Sequence, residues 1–212
     1  MIDSGIGSDD AGVSLDDLPP PEPVPNLAAS LDERERCLAR SAACRANFSL
    51  YMNDARRSAE VRYTPIKLNI ENVSRCNFAC MMCAGSEWPK GRRAADMSFA
   101  AFKALLDEQY GLVEIKLQGL GGPMLQGDPY FAMIRYARDR HIWVRTMTNA
   151  SLLHLRGNYS KLIDTDVNEA QISIDGADKA TYEAIRRQAV FERVVANYIL
   201  SRGVDIPEDD PH

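Results

Sequence analysis

Three cysteines stand within eight residues of one another, at Cys76, Cys80 and Cys83. Thiolates are the usual ligands of iron–sulfur clusters, which normally take four of them. Because the loop offers only three, one iron of such a cluster would stay open to a small molecule, much as catalytic zinc keeps one position open. Zinc, with His141 or His154 as a fourth ligand, is the competing interpretation. A purely structural role for the three thiols is the third.

The elements around this loop alternate between strand and helix. Apolar and polar residues alternate in four predicted strands, at residues 66–73, 113–118, 142–148 and 170–174. Helices are predicted between and after them, at 98–110 with Ser98 as N-cap, at 128–140 with Asp128 as N-cap, in one or two pieces up to residue 163, and at 179–201. Strands alternating with helices predict βαβ units and a parallel sheet. We therefore expect an α/β fold, a partial (open) parallel β/α barrel of about four βα units. The cysteine loop would begin at the carboxyl end of its first strand, where such folds bind ligands.

Polar residues recur in every predicted strand. We expect them to share one face of the sheet, whereas parallel strands buried on both faces would be almost wholly apolar. Two interpretations stay open: this face lines an open, ligand-holding barrel, or it is merely solvated. The residues concerned are Asn69, Glu71, Gln118, Thr146, Thr148, Gln171, Ser173 and Asp175.

The remaining segments suggest four regions. Residues 1–26, rich in proline and acidic residues, predict a disordered leader. Residues 27–64 predict a helical N-terminal extension, 65–201 the core, and 202–212 an acidic tail. Cys37 and Cys44 lie seven apart on the apolar stripe of the extension, which favours buried thiols over a metal or redox role.

Composition narrows the class of protein. The 212 residues include 45% hydrophobic and 26% charged residues and carry a net charge of −5, which suits a packed core and lacks the basic excess typical of nucleic-acid binding. The N-terminus does not resemble a secretory signal, and no apolar run reaches the roughly 20 residues that span a bilayer. We expect a cytoplasmic protein without a membrane segment.

Four ordered segments resemble the radical S-adenosylmethionine (radical SAM) superfamily. The Cys-x-x-x-Cys-x-x-Cys loop after the first strand matches its signature. LQGLGGPML at 117–125 resembles its Gly-Gly-Glu-Pro segment, and TNASLL at 148–153 its Thr-Asn-Gly segment. ISIDG at 172–176 is similar to the branch that often carries a C-terminal auxiliary-cluster (SPASM) domain.

This resemblance implies a cofactor set. The three cysteines would hold a 4Fe–4S cluster, and S-adenosylmethionine would chelate the open iron and be cleaved reductively to a 5′-deoxyadenosyl radical that takes a hydrogen atom from an unknown substrate. A flavodoxin or ferredoxin would supply the electron. The implied cofactor-binding residues are Met82 against the adenine, Gly119, Gly121 and Gly122 at the methionyl end, Asn149 in the Thr-Asn-Gly segment, and Ser173 and Arg186 for the ribose or carboxylate. No catalytic residue is singled out.

The chain also departs from the family pattern. Gly122 replaces the usual Glu, and Ala150 replaces a Gly that would tolerate positive φ. Four strands are fewer than the family's six or so, so the chain looks C-terminally truncated, and a partner chain could complete the barrel. The alternatives to an active enzyme are a non-catalytic iron–sulfur or partner-binding remnant and a zinc-binding α/β module.

Overall fold

The computed structural model describes residues 27–54, 60–89 and 95–201. Its centre is a four-stranded parallel sheet in the order β1-β2-β3-β4. The strands are β1 (Lys67–Ile70), β2 (Glu114–Leu117), β3 (Trp143–Thr148) and β4 (Glu169–Ile172). The sheet is open, and the predicted partial β/α barrel is confirmed. The predicted leader and acidic tail lie outside the described residues, and the division into four regions stays a prediction.

Helices connect the strands and precede them. They are α1 (Leu27–Ala39), α2 (Ala42–Asn53), α3 (Phe99–Glu108), α4 (Asp128–Arg138), α5 (Asn158–Asp164), α6 (Lys179–Ile185) and α7 (Phe191–Ser201). Ser98 caps α3 as predicted, because its hydroxyl accepts a hydrogen bond from the Ala101 N–H at 3.1 Å.

Two helix predictions were wrong. The single helix predicted at 179–201 is two helices, α6 and α7, separated at residues 186–190, where Gln188 has a φ of 68°. The N-cap of α4 is Gly127, with a φ of 73°, and not Asp128. Glycine adopts this conformation at little cost. The helix therefore begins one residue earlier than the Asp128-Pro129 pair suggests. The Asp128 carboxylate instead pairs with Lys161, 2.7 Å away.

One face of the sheet forms the core. Ile70, Ile115, Leu117 and Val144 are at most 4% exposed and belong to a cluster that includes apolar residues of α3 and α4. Thr146 and Thr148 also lie on this face, which corrects their predicted place among the polar residues. The register pairs Thr146 with Leu117, and side chains alternate along a strand. The Thr146 hydroxyl lies 2.8 Å from the buried Tyr130 hydroxyl and donates to the Leu117 carbonyl at 2.9 Å.

The opposite face of the sheet is polar. It carries an ion-pair ladder across the strands: Lys67 Nζ lies 2.6 Å from Glu114, and Arg145 Nε lies 3.1 Å from Glu114 and 3.2 Å from Glu169. Asn69 and Gln171 are exposed on the same face. The predicted polar face therefore exists and is strongly charged.

Helices α1 and α2 pack where the strands begin. Arg40 donates to the carbonyls of Tyr110 and Leu112 at 2.9 Å, and Glu33 pairs with Arg138 at 2.8 Å. Cys37 and Cys44 are fully buried, as expected. A hydrogen bond with Cys37, together with the Arg40 guanidinium, lowers the pKa of the Cys44 thiol to about 6, while the pKa of Cys37 is raised. Among the described residues, no helix is both long and apolar enough to cross a membrane.

Candidate functional site

The cysteine loop follows β1 at the carboxyl edge of the sheet. Cys80 is 8% exposed, whereas Cys76 and Cys83 are half-buried, and all three are free thiols. A turn links two of them, since the Cys83 N–H donates to the Cys80 carbonyl at 3.1 Å and the Ser86 N–H donates to the Cys83 carbonyl at 2.9 Å. Three thiols thus stand on one short, hydrogen-bonded loop.

The linker between α6 and α7 holds this loop in place. The Ala79 N–H donates to the Arg187 carbonyl at 2.9 Å, and the Met81 N–H donates to the Ile185 carbonyl at 3.0 Å. A continuous helix would commit the Ile185 and Arg187 carbonyls to its own N–H groups four residues later. The break between the helices therefore frees the carbonyls that fix the cysteine loop.

Arg186, at the end of α6, contacts the middle cysteine. Its Nη1 lies 3.9 Å from Cys80 Sγ, and its Nη2 lies 2.5 Å from Asp175 Oδ2. Burial raises the pKa of the Cys80 thiol; the Arg186 charge opposes this, and the neighbouring Cys76 and Cys83 add to it. Tyr182, which interacts electrostatically with both Arg186 and Cys80, is fully buried, and burial raises the pKa of its phenol to about 12. The sequence predicted Arg186 as a cofactor-binding residue, but it did not predict that Asp175 would pair with it.

A polar network lies beside the first cysteine. Asn149 Nδ2 donates to Asn77 Oδ1 at 3.1 Å and lies 3.9 Å from Cys76 Sγ. Asn77 Nδ2 donates to Ser151 Oγ, which in turn donates to Asn149 Oδ1, each at 2.8 Å. The structure thus brings the predicted Asn149 to the cysteine loop, together with Asn77 and Ser151, which sequence reasoning missed. Their only sequence signal was their position inside the two motifs.

The glycine segment after β2 packs closely on the loop. A Cβ at Gly121 would overlap the carbonyl oxygen of Val73 and lie 2.7 Å from that of Arg75, so a side chain has no room there. The Gly122 N–H donates to the Arg75 carbonyl at 2.8 Å. At Gly122, by contrast, a Cβ would meet Asn77 Oδ1 at 3.5 Å and Cys76 Sγ at 3.8 Å, which are ordinary contacts.

Gly119 makes room for a carboxylate. A Cβ there would overlap the side chain of Glu71, whose Oε1 accepts a hydrogen bond from the Leu120 N–H at 2.7 Å. Glu71 was predicted only as a polar-face residue. Its carboxylate in fact braces the glycine segment that the resemblance assigns to the methionyl end.

The other predicted site residues have fewer contacts. Met82 is 56% exposed beside Cys83. Ser173 directly follows β4, and its N–H donates to the Thr148 carbonyl at 2.9 Å. Ala150 has a φ of 60° and is fully buried, so the position does take the conformation for which the family uses glycine.

The two histidines named as zinc ligands are engaged elsewhere. His141 Nδ1 lies 3.2 Å from Glu33, at the opposite end of the strands from the cysteine loop, and His154 Nδ1 lies 3.0 Å from Asn197 Nδ2. Across the described ranges, no group of three or more His, Cys, Asp or Glu side chains is placed to hold a single metal ion, so the zinc site considered from the sequence is not formed.

The fold is an open parallel β/α sheet, and a loop with three cysteines follows its first strand. Comparison with known protein families identifies the class of protein that shares these features. The model of the radical SAM superfamily matches residues 71–208, more than half of the chain, and the chain belongs to that superfamily. Members of the superfamily use a 4Fe–4S cluster and S-adenosylmethionine.

Curated relatives include the mycofactocin maturase MftC of Mycolicibacterium smegmatis, 30% identical over 135 residues, which are 62% of this chain and 33% of that protein. The GTP 3′,8-cyclase of Aliarcobacter butzleri is 28% identical over 134 residues, 60% of this chain and 40% of that protein. The likeness is thus to enzymes, and the chain spans between a third and two fifths of the length of these relatives.

Among solved structures, Streptococcus suis SuiB bound to S-adenosylmethionine superimposes with a TM-score of 0.53 at 16% identity, covering 66% of this chain and 32% of SuiB. SuiB bound to its precursor peptide SuiA gives the same TM-score. At this identity the likeness supports the fold.

Proposed function

We propose that the chain binds a 4Fe–4S cluster through Cys76, Cys80 and Cys83 and uses it, with S-adenosylmethionine, for radical chemistry on a substrate still to be identified. The observation that carries the proposal is the three-thiol loop at the carboxyl edge of the sheet in a chain of this superfamily. A cluster held by these three thiols would supply the electron for reductive cleavage of S-adenosylmethionine to methionine and a 5′-deoxyadenosyl radical, which would take a hydrogen atom from the substrate.

The residues around the thiols suit such a group. The Phe78 N–H lies 3.5 Å from Cys76 Sγ, and Asn149 and Arg186 bring further N–H donors to within 3.9 Å of Cys76 and Cys80. Hydrogen bonds of this kind to the sulfur atoms help set the reduction potential of iron–sulfur clusters. The Arg186 charge also offsets part of the negative charge that three thiolates would concentrate here.

The cofactor-binding roles proposed for the other residues rest on their places in the family motifs. Gly119, Gly121 and Gly122 form the segment that would lie at the methionyl end, with Gly122 the one whose Cβ position is open and Gly119 and Gly121 packed on Glu71 and the Val73 carbonyl. Asn149 and Ser173 would offer polar groups at the same sheet edge. Met82, exposed next to Cys83, would cover the adenine. Arg186 is already paired with Asp175, so it would orient a carboxylate only as part of that pair.

Substrate and partners are less defined. The named relatives act in different chemistries, so no substrate class is assigned. An electron donor such as a flavodoxin or ferredoxin, a cytoplasmic location and a partner chain that completes the barrel all belong to this proposal.

The test is anaerobic reconstitution followed by iron and sulfide analysis and electron paramagnetic resonance of the reduced protein, with and without S-adenosylmethionine. We expect a 4Fe–4S signal that changes when S-adenosylmethionine is added, and 5′-deoxyadenosine among the products. Cys80→Ala should lose the signal, while Cys44→Ala, which removes a buried thiol outside the loop, should keep it.

Two outcomes favour the alternatives. A cluster signal that ignores S-adenosylmethionine points to a non-catalytic remnant, which the missing carboxylate at Gly122 favours. Bound zinc without iron and sulfide would contradict the proposal and identify a zinc-binding module.

A further inference from the structure

Glu71 is the first residue beyond β1, and its carboxylate lies against the glycine segment that follows β2. The Gln118 N–H donates to the Ile70 carbonyl at 2.9 Å, so the two strands stay paired up to this point. Side chains alternate along a strand, which places Glu71 on the same polar face as Lys67 and Asn69. Glu71 is exposed, so its side chain is within reach of a molecule bound on this face.

The glycine segment runs beside the cysteine loop from Glu71 to the first thiol. A Cβ at Gly119 would overlap the Glu71 side chain. Three residues later, a Cβ at Gly122 would lie 3.8 Å from Cys76 Sγ. The Glu71 carboxylate and the Cys76 thiol therefore stand at the two ends of one short stretch of packed backbone.

The Glu71 carboxylate is held in place but is only partly used. Its Oε1 accepts a hydrogen bond from the Leu120 N–H at 2.7 Å, and Glu71 forms no ion pair within the part of the chain that the structure describes. A carboxylate offers about four acceptor positions over its two oxygens, so Oε2 remains able to accept a hydrogen bond. An acceptor that is already oriented loses less conformational freedom when a ligand binds.

The glycine segment has no side-chain acceptor of its own. Its glycines have no side chain, and Leu120 is apolar. The amide oxygen of Asn77 lies near Gly122, but it already accepts a hydrogen bond from Asn149 at 3.1 Å. A ligand group with N–H donors at this segment would therefore find its side-chain acceptor in Glu71.

S-adenosylmethionine brings such a group. Members of the superfamily use it, and the glycine segment is the part of the chain proposed to lie at its methionyl end. That end carries an amino group, whose N–H donors remain available whether the nitrogen is free or bound to an open iron. Hydrogen bonds that involve a charged partner such as a carboxylate are about twice as strong as neutral ones. A carboxylate introduced at position 122 would add a second acceptor for these donors and would not replace the first.

We propose that Glu71 binds the amino group of S-adenosylmethionine, with Oε1 held by the Leu120 N–H and Oε2 turned to the ligand. The proposal rests on the function proposed above, since it requires a chain that holds the cluster and binds S-adenosylmethionine. It assigns a cofactor-binding role to a residue that lies outside the four segments that resemble the superfamily.

The experiment measures binding of S-adenosylmethionine to the full-length, cluster-loaded protein by anaerobic equilibrium dialysis, with the cluster oxidised so that no cleavage occurs. Glu71→Gln keeps an oxygen for the Leu120 N–H but replaces the second acceptor with an NH2 donor. We expect this variant to load iron and sulfide as the wild type does and to bind S-adenosylmethionine about ten-fold more weakly. Glu108→Gln, which changes an exposed carboxylate at the end of α3, should bind it as the wild type does.

Two related molecules identify the group that Glu71 recognises. S-adenosylhomocysteine has the same amino group but lacks the methyl group and the positive charge of the sulfonium, so Glu71→Gln should weaken its binding by the same factor. 5′-Methylthioadenosine has no amino acid part, so its affinity should be the same for both proteins. A loss confined to S-adenosylmethionine would place Glu71 at the sulfonium, and an equal loss for all three molecules would show a general structural effect; either result overturns the proposal.

Gly119→Ala tests the same contact without altering the carboxylate. Its Cβ would overlap the Glu71 side chain, which must then move away from the Leu120 N–H. We expect binding of S-adenosylmethionine to weaken about ten-fold in this variant and not to weaken further when Gly119→Ala is combined with Glu71→Gln. Circular dichroism and iron content check that each variant folds and loads its cluster.

The outcomes separate this proposal from the proposed function. A wild type that loads no cluster, or whose cluster does not bind S-adenosylmethionine, would overturn both. A wild type that binds S-adenosylmethionine with the same affinity as loaded Glu71→Gln would overturn the role of Glu71 alone, and so would a Gly119→Ala loss that adds in full to that of Glu71→Gln.

Discussion

Replacing Gly121 by alanine should be the most damaging small change near the cysteine loop. Its Cβ would overlap the Val73 carbonyl oxygen and lie 2.7 Å from the Arg75 carbonyl oxygen. Both obstacles are backbone atoms, and the Gly122 N–H is bonded to the same Arg75 carbonyl at 2.8 Å. Separating the two segments therefore combines overpacking, about 1–3 kcal/mol, with loss of a hydrogen bond worth about 1 kcal/mol. We expect the free energy of unfolding to fall by about 2–4 kcal/mol.

The adjacent glycine provides the matched control. Gly122 has a φ of −93°, which alanine adopts readily, and a Cβ there meets only ordinary contacts at 3.5 Å or more. Gly122→Ala also restricts the unfolded chain, so its stability should be unchanged or raised by up to about 1 kcal/mol.

The assay is urea denaturation of the reduced, metal-free variants, followed by circular dichroism. Two adjacent substitutions of the same type should then differ by at least about 2 kcal/mol. If Gly121→Ala were as stable as Gly122→Ala, the close approach of the glycine segment to the cysteine loop would be wrong.

Three further predictions concern the same region and the buried thiols. Gly122→Glu, whose Cβ would make only ordinary contacts, should tighten binding of S-adenosylmethionine to the loaded protein about ten-fold, measured by equilibrium dialysis; unchanged affinity would count against a role for the missing carboxylate. Arg186→Gln should lower the free energy of unfolding by about 1–2 kcal/mol because Asp175 loses its partner, whereas Arg187→Gln at the exposed neighbouring position should have little effect; equal losses would refute the pairing. The stability advantage of the wild type over Cys44→Ala should grow as pH rises from about 6 to about 9, because the folded thiol, with its lowered pKa, ionises in this interval while the unfolded thiol keeps its proton. Urea denaturation across this pH interval measures the trend, and a flat difference would contradict the lowered pKa.

The sequence predicted the parallel sheet because its signal is local. Each strand is a short alternating run, and each is followed by a helical segment. The failures came from information that no local pattern carries. The face on which Thr146 lies depends on how β3 is aligned with β2, and the break between α6 and α7 depends on the cysteine loop, which needs the linker carbonyls.

The site was predictable to the extent that the motifs contain it. The three thiols, the glycine segment and Asn149 were found because they stand inside recognisable segments. The replaced glycine pointed to Ala150 as a position that could need a positive φ, and its φ is 60°. Asn77 was missed because its partner Ser151 is 74 residues away in sequence. The contact between Arg186 and Cys80 spans 106 residues, so only the fold brings the two together.

The hydrogen bonds between the cysteine loop and the α6–α7 linker have a consequence for biosynthesis. The loop leaves the ribosome more than 100 residues before the segment that holds it, judging by the separation of Cys80 and Arg186. At about 5–20 residues per second, the thiols spend several seconds on a nascent chain that cannot yet fix their spacing. Metal insertion into the native geometry should therefore follow synthesis of α6, and chains released before that point would carry the three thiols without the scaffold that arranges them.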